Sequence, residues 1–236
     1  MADAGEGNKV TRQRVGEWGD WHDAYEDPSS ELVGRMMMVR RHVAAIVSEA
    51  PPGPVTVVSI CGGQGRELIG ALEDHPRKAD VRGRLVELDA DNAAFARRWA
   101  AEAGVIGLEI VTGDASLSAS YAGLDPVDLV VISGVFGHLS SSDWLRLIDF
   151  TRQIRHTGSG VVWTSHRSND GPAEWLRRAF LERRFEEFEH GLVPGDDFQF
   201  TVTRNLYTGV QQPFEPHATI FTFGSLRAER EGTAPA

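Results

Sequence analysis

A doubly wound α/β fold, with a mostly parallel sheet covered by helices on both faces, is predicted by three features of this sequence. Strand-like and helix-like segments alternate from Val55 to Arg184, the signature of repeated strand–helix units. Continuous apolar runs such as Leu129-Val130-Val131-Ile132 and Val161-Val162-Trp163 suit strands buried on both sides. The stretch from Val57 to Leu68 (VVSICGGQGREL) reads as a buried strand, a tight glycine turn and a helix start. That corner is where α/β proteins bring a ligand against free backbone N–H groups.

The elements follow in order. Residues 1–16 are rich in Gly, Ala and charge without an apolar period and read as a frayed tail, as do residues 228–236. Residues 17–50 form an N-terminal helical cap and residues 51–227 the sheet domain. Within the cap, Trp18, Trp21, His22 and Tyr25 cluster before a turn at Asp27-Pro28, and Ser29 or Ser30 is placed to cap a helix. Leu32, Met36, Val39, Val43, Ile46 and Val47 recur at three- and four-residue spacing up to about Ala50, where Pro51-Pro52-Gly53-Pro54 stops the helix. Strands are expected at Val55–Cys61, Arg84–Leu88, Leu108–Thr112, Asp128–Ser133 and Gly160–Ser165. Helices are expected at Gln64–Asp74, Asp91–Ala103, Ser142–Arg155 and Pro172–Arg184. Phe95 and Trp99 share a face of the second of these helices, and Gly104 is its C-cap. Phe185–Leu192, Phe198–Leu206 and Ala218–Phe223 read as strands without intervening helices, predicting an antiparallel end to the sheet.

The bulk composition bounds the function. The 236 residues, 41% hydrophobic and 25% charged, match an ordinary globular domain with a sizeable core. A net charge of -10 argues against nonspecific nucleic-acid binding. Arg177, Arg178, Arg183 and Arg184 read as a solvated helix face paired with nearby glutamates. Cys61 is the only cysteine, which excludes an internal disulfide and a cysteine-rich zinc site. No apolar run approaches a membrane span and no signal-peptide core follows the N-terminus, so the reading is a cytoplasmic protein with no membrane partner.

The glycine spacing narrows the ligand. A dinucleotide fingerprint needs a third glycine at position 68, where Leu68 stands, and this argues against NAD or FAD. After the glycine turn at Gly62-Gly63-Gln64-Gly65, the second strand ends in Val86-Glu87-Leu88-Asp89 and the third in Thr112-Gly113-Asp114-Ala115. Glu87 falls about 22 residues after Gly65, the interval of one helix and a return strand, and an acid there can accept from both hydroxyls of a ribose. Its alternative is a surface carboxylate at a strand end. Asp89 reads as the N-cap of the next helix.

Over residues 55–225 the chain resembles the class I S-adenosylmethionine-dependent methyltransferases. Val57–Gly65 is similar to that family's first motif, with Ser59 where an acid is usual and Cys61 where the first glycine is usual. The GGQG variant is similar to actinobacterial-type small-molecule methyltransferases. The resemblance implies a Rossmann-like, mostly parallel seven-stranded sheet with an antiparallel C-terminal strand. It also implies S-adenosylmethionine as cofactor, S-adenosylhomocysteine as product, and a small-molecule acceptor, in secondary metabolism, methylated on O, N or C. Cofactor binding is implied for Cys61, Gly62, Gly63, Gln64 and Gly65 in the turn, for Glu87 at the ribose, and for Asp114 and Ala115 at the adenine. Ser133 and Gly134 would line the methionine portion, and Tyr25, Leu88 and Val135 complete the cofactor-binding set.

The acceptor side is read from the remaining polar and aromatic residues. Phe136 and His138 follow the fourth strand, and His166 and Arg167 follow the fifth, all at the ligand-facing edge. His138 is a candidate general base or a loop histidine that packs the next helix. His166 is the second candidate base. Arg167 is placed either to bind an acceptor carboxylate or to sit in solvent. No third ligand accompanies the two histidines at recognisable spacing, so no metal is expected. Trp18, Trp21 and His22 form either a lid that supplies acceptor contacts, a hydrophobic plug, or a dimer contact; the chain is expected to be a monomer or a homodimer. Ser59 and Cys61 leave open a protein that binds S-adenosylmethionine yet catalyses another reaction, such as a cyclisation, or serves as a binding subunit.

Overall fold

The computed structural model describes residue 25 and residues 30–124, 126–167, 172–193 and 199–224. Among the described residues, seven strands form one sheet: Val55–Ile60 (β1), Val81–Glu87 (β2), Leu108–Thr112 (β3), Val127–Ile132 (β4), Arg155–Arg167 (β5), Phe185–Val193 (β6) and Gln199–Tyr207 (β7). Their order is β3-β2-β1-β4-β5-β7-β6. The first five run parallel, and β7 is antiparallel to both of its neighbours. The helices are Glu31–Glu49 (α1), Leu68–Leu72 (α2), Ala90–Ala103 (α3), Ser141–Thr151 (α4) and Pro172–Glu182 (α5).

The apolar runs form two cores because alternate side chains of a buried strand point to opposite faces. Val55 and Val57 of β1, with Leu129 and Val131 of β4, pack under α1, α2 and α3. Val58 and Ile60, with Val130 and Ile132, pack under α4 and α5. On the second face Trp163 stacks on Phe180 at 5.1 Å, and its indole N–H donates to Asn205 Oδ1 at 2.7 Å. Fully burying each aliphatic side chain contributes roughly 1.5–3 kcal/mol. Among the described residues no helix is long and apolar enough to cross a membrane.

Local chemistry sets the helix ends. Ser30 Oγ accepts from Leu32 N at the start of α1. Asp89 caps α3, accepting from Asp91 N and Asn92 N, and Gly104 closes it at φ 73°. Phe95 and Trp99 share a face of α3 as an edge-to-face pair at 6.2 Å, but the buried face is alanine: Ala93, Ala96, Ala100 and Ala103. Arg177 pairs with Glu174 and Glu187, and Arg183 with Asp149.

Two expectations are corrected. The helix after the glycine turn spans only Leu68–Leu72, because Gly65 at φ 78° keeps the preceding residues in turns. Ala218–Phe223 does not form a strand, since β6 takes the edge position beside β7. Residues 208–224 form a strap that returns across the molecule instead. Gln212 N donates to Arg152 O at 2.9 Å, Ala218 pairs with Ser118, Ile220 N donates to Ser116 O at 2.7 Å, and Gly224 N donates to His138 O at 2.9 Å.

Candidate active site

The chain leaves β1 toward β2 on one side and β4 toward β5 on the other, so the carboxyl ends of β1 and β4 flank a topological switch point, where open α/β sheets bind ligands. A cleft of about 960 Å³, open solvent at its mouth included, lies there. Its walls come from the turn after β1, the ends of β2, β3 and β4, α1, and the strap.

The turn after β1 is tight for identifiable reasons. Cys61, Gly63 and Gly65 have φ of 52°, 56° and 78°, conformations that cost little only for glycine. A Cβ at Gly62 would lie 2.3 Å from Leu85 Cγ, and one at Gly65 would lie 2.4 Å from Ile69 Cδ1. Cys61 adopts the same left-handed region with a side chain, a local strain of the kind found at ligand sites. Burial, with Glu87 and Asp114 nearby, pushes its thiol well above the usual range, so it is not an activated nucleophile.

Glu87 ends β2 against this turn. Its Oε2 accepts from Gly63 N and its Oε1 from Asp89 N, both at 2.8 Å. Burial raises the pKa of this carboxyl, opposed by the two backbone N–H groups. At the end of β3, Asp114 Oδ1 accepts from Ser116 N at 2.8 Å, and Tyr121 OH donates to Ala115 O at 2.8 Å. At the end of β4, Gly134 takes φ 73° and donates its N–H to Thr164 Oγ1 at 2.8 Å.

A buried polar group on the cleft wall carries no motif in the sequence. Arg35 of α1 is 2% exposed; it donates to Glu67 Oε1 at 3.4 Å and to the Tyr25 hydroxyl. Ser133 Oγ donates to the same Glu67 oxygen at 3.1 Å. Burial and the nearby Glu67 carboxylate push the Tyr25 phenol well above its usual range. The strap adds Phe221, 2% exposed, and Phe223, 42% exposed.

No family model and no curated protein matches this chain. Solved structures do. Magnesium protoporphyrin IX methyltransferase from Synechocystis, with bound SAM, superposes with a TM-score of 0.63 at 16% identity, covering 81% of this chain and 91% of that one. An O-methyltransferase family protein from Burkholderia thailandensis gives 0.53 at 15% identity, over 80% of this chain and 63% of that one. Precorrin-6y C5,15-methyltransferase from Geobacter metallireducens gives 0.53 at 15%, over 72% and 87%. The fold is that of class I methyltransferases.

On this methyltransferase fold the residues singled out in the sequence divide into three groups. Tyr25, Cys61, Gly62, Gly63, Glu87 and Leu88 line the cleft, as do Asp114, Ala115, Ser133 and Gly134. Five others do not form its wall. Gln64 turns its amide to Asn92 Oδ1 at 3.2 Å, and Gly65 lies over Ile69. Val135 is 1% exposed, in the core. Phe136 is fully buried between Trp163 and Phe180, with its carbonyl accepting from Trp144 Nε1, so it cannot meet an acceptor. His138 lies one layer back, stacked at 4.9 Å on the cleft residue Phe223. In the third group, Trp18, Trp21 and His22 fall outside the described residues. His166 and Arg167 end β5 at the same sheet edge, their backbones paired with Phe200 and Gln199. Arg35, Glu67, Asn92 and the strap phenylalanines also line the cleft and carry no site signal in the sequence. Arg35 and Glu67 read as ordinary helix-surface charges, and only their burial against each other reveals them.

Proposed function

We propose that this chain is an S-adenosylmethionine-dependent methyltransferase acting on a small molecule, with O, N or C as the accepting atom. The observation that carries this reading is Glu87: a buried acid at the carboxyl end of β2, held toward the cleft by the N–H of a glycine turn. The donor set fits an adenosyl amino acid. Glu87 offers acceptor lone pairs for two ribose hydroxyls, Asp114 and Ala115 offer an acceptor and a backbone donor for an adenine edge, and Leu88 offers an apolar cover. Cys61, Gly62 and Gly63 leave space for the ligand's backbone-side approach, and Ser133 and Gly134 border the methionine portion.

Bound S-adenosylmethionine supplies a methyl group already activated on a sulfonium. The protein's own residues orient the acceptor, exclude water and remove a proton where the acceptor carries one. Phe223 and Phe221 cover the cleft. His138 and His166 are the candidate proton acceptors, since an imidazole near neutrality takes up a proton readily. Arg167 and the aromatic segment at Trp18, Trp21 and His22 complete the acceptor side in this reading. Residues 17–50 act as its cap, residues 51–227 as its catalytic domain, and secondary metabolism is the setting.

Calorimetric titration with S-adenosylmethionine tests the proposal directly, and an absence of heat at millimolar ligand refutes it. Transfer of radiolabel to acceptors then separates methyl transfer from cofactor binding with another outcome. His138→Ala and His166→Ala are expected to lower turnover by different amounts while keeping cofactor affinity; full rates in both would remove histidine from proton transfer.

A further inference from the structure

Arg66, which follows Gly65 in the glycine turn, faces aromatic rings rather than an acid. Its guanidinium carbon lies 5.4 Å from the centre of the Tyr25 ring and 5.8 Å from that of Phe95 on α3. Among the described residues it forms no ion pair, in a chain whose net charge is -10. Its Nε donates to Gln64 Oε1 at 3.0 Å, and Gln64 Nε2 donates to Asn92 Oδ1 at 3.2 Å, so hydrogen bonds orient the guanidinium from within the turn and from α3. The Arg66 carbonyl accepts from Arg40 Nε of α1 at 2.8 Å. Arg40 in turn lies 5.8 Å from the Trp99 ring centre, and Trp99 meets Phe95 edge-to-face. Cations and rings therefore alternate from α1, across the turn, to α3.

Tyr25 stands apart from the rest of the cleft wall. The other lining residues belong to strand ends, the glycine turn, α1, α3 or the strap, whereas Tyr25 lies ahead of α1. Its side chain is held by two arginines. Arg35 donates to its hydroxyl and lies 6.0 Å from its ring centre, and Arg66 lies closer to the ring. The phenol stays neutral, because burial and the Glu67 carboxylate push its pKa well above the usual range. The face of a neutral aromatic ring attracts a guanidinium, and one such contact favours the held position roughly two- to fivefold when partly exposed.

We infer that Arg66 is a positioning residue of the cleft, which ties the Tyr25 ring to Phe95 of α3 and so keeps Tyr25 on the wall when a ligand is bound. Arg66 and Phe95 do not themselves line the cleft. Phe95 therefore acts on ligand affinity through Arg66 alone. The inference rests on the methyltransferase reading for its ligand, and on the contacts of Arg66 for its geometry.

Two measurements test this. The chain has three tyrosines, of which Tyr121 and Tyr207 are fully buried in the core, so fluorotyrosine-labelled protein gives three fluorine resonances. Tyr25→Phe identifies the one that belongs to Tyr25. Arg66→Gln is expected to displace that resonance and leave the other two in place; an unmoved Tyr25 signal overturns the inference. In calorimetry, Arg66→Gln is expected to weaken S-adenosylhomocysteine binding roughly three- to tenfold, while Arg66→Lys, which keeps a cation within reach of the rings, retains most of the affinity. Phe95→Leu weakens binding as well, and the Arg66→Gln/Phe95→Leu double variant no further than Arg66→Gln alone. Losses that add in the double variant, or equal losses in the lysine and glutamine variants, overturn the assignment. If wild type takes up no S-adenosylhomocysteine, the methyltransferase reading fails, and the fluorine resonance still decides whether Arg66 holds Tyr25.

Discussion

Glu87 is under opposing demands at the level of a single side chain. Burial disfavours its charge, and the N–H groups of Gly63 and Asp89 favour it, with burial the larger influence. Removing the carboxylate in Glu87→Ala is expected to weaken S-adenosylhomocysteine binding by about 1.5–3 kcal/mol, the range for hydrogen bonds to a charged group, measured by calorimetry. The raised pKa also gives a direction with pH. A carboxyl whose folded pKa lies above its ordinary value becomes protonated at a higher pH, and its acceptor strength is lost as pH falls through that raised value. Affinity should therefore be flat on the alkaline side and begin to decline on acidification before the ordinary carboxylate range is reached. In Glu87→Gln this part of the pH dependence should vanish; a wild-type profile in that variant would remove Glu87 from the binding site.

The strands hold the site through close backbone approach. Gly83 in β2 has φ 136°, and a Cβ there would lie 1.9 Å from Val57 O on β1. No side chain can yield to relieve that contact, because the obstacle is the neighbouring strand's backbone. Gly83→Ala is expected to cost about 2–4 kcal/mol of stability, read as a drop in denaturation midpoint, by forcing β1 and β2 apart. Since the glycine turn and Glu87 are carried by those same two strands, ligand affinity should fall along with stability. An alanine variant with an unchanged midpoint would contradict this account of the β1–β2 spacing.

Across the whole molecule, the strap formed by residues 208–224 ties distant parts together. It leaves β7, crosses the segment after α4, pairs with the loop after β3 and ends against His138. Its two cleft phenylalanines differ in exposure, and this separates stability from binding. Phe221, nearly fully buried in the core with Tyr121 and Phe150, is expected to cost about 3–5 kcal/mol when replaced by alanine, seen in the melting temperature. Phe223, partly exposed and stacked on His138, should leave the melting temperature nearly unchanged in Phe223→Ala while weakening cofactor or acceptor binding. Equal thermal losses in the two variants would show that the strap is a structural tie throughout.

The amino-acid order by itself determined the short-range features. The apolar runs of β1, β4 and β5, the proline stop after α1, the Asp89 cap and the glycine turn all rest on chemistry among adjacent residues, and they sufficed for the sheet class and for bringing Glu87 and Asp114 to one cleft at the sheet's edge. Tertiary structure alone decided what depends on residues far apart in sequence. Arg35, Glu67 and Ser133 are separated by 32 and 66 positions and become a unit only because α1, the turn and β4 meet at one cleft. Ala218–Phe223 has the composition of a strand, yet β6 already occupies the sheet edge, so the segment pairs elsewhere. Phe136 stands two positions from His138 and is sealed in the core, because a short helical turn sends neighbouring side chains in opposite directions. Local propensity can specify an element; which elements share a boundary depends on how the chain closes on itself.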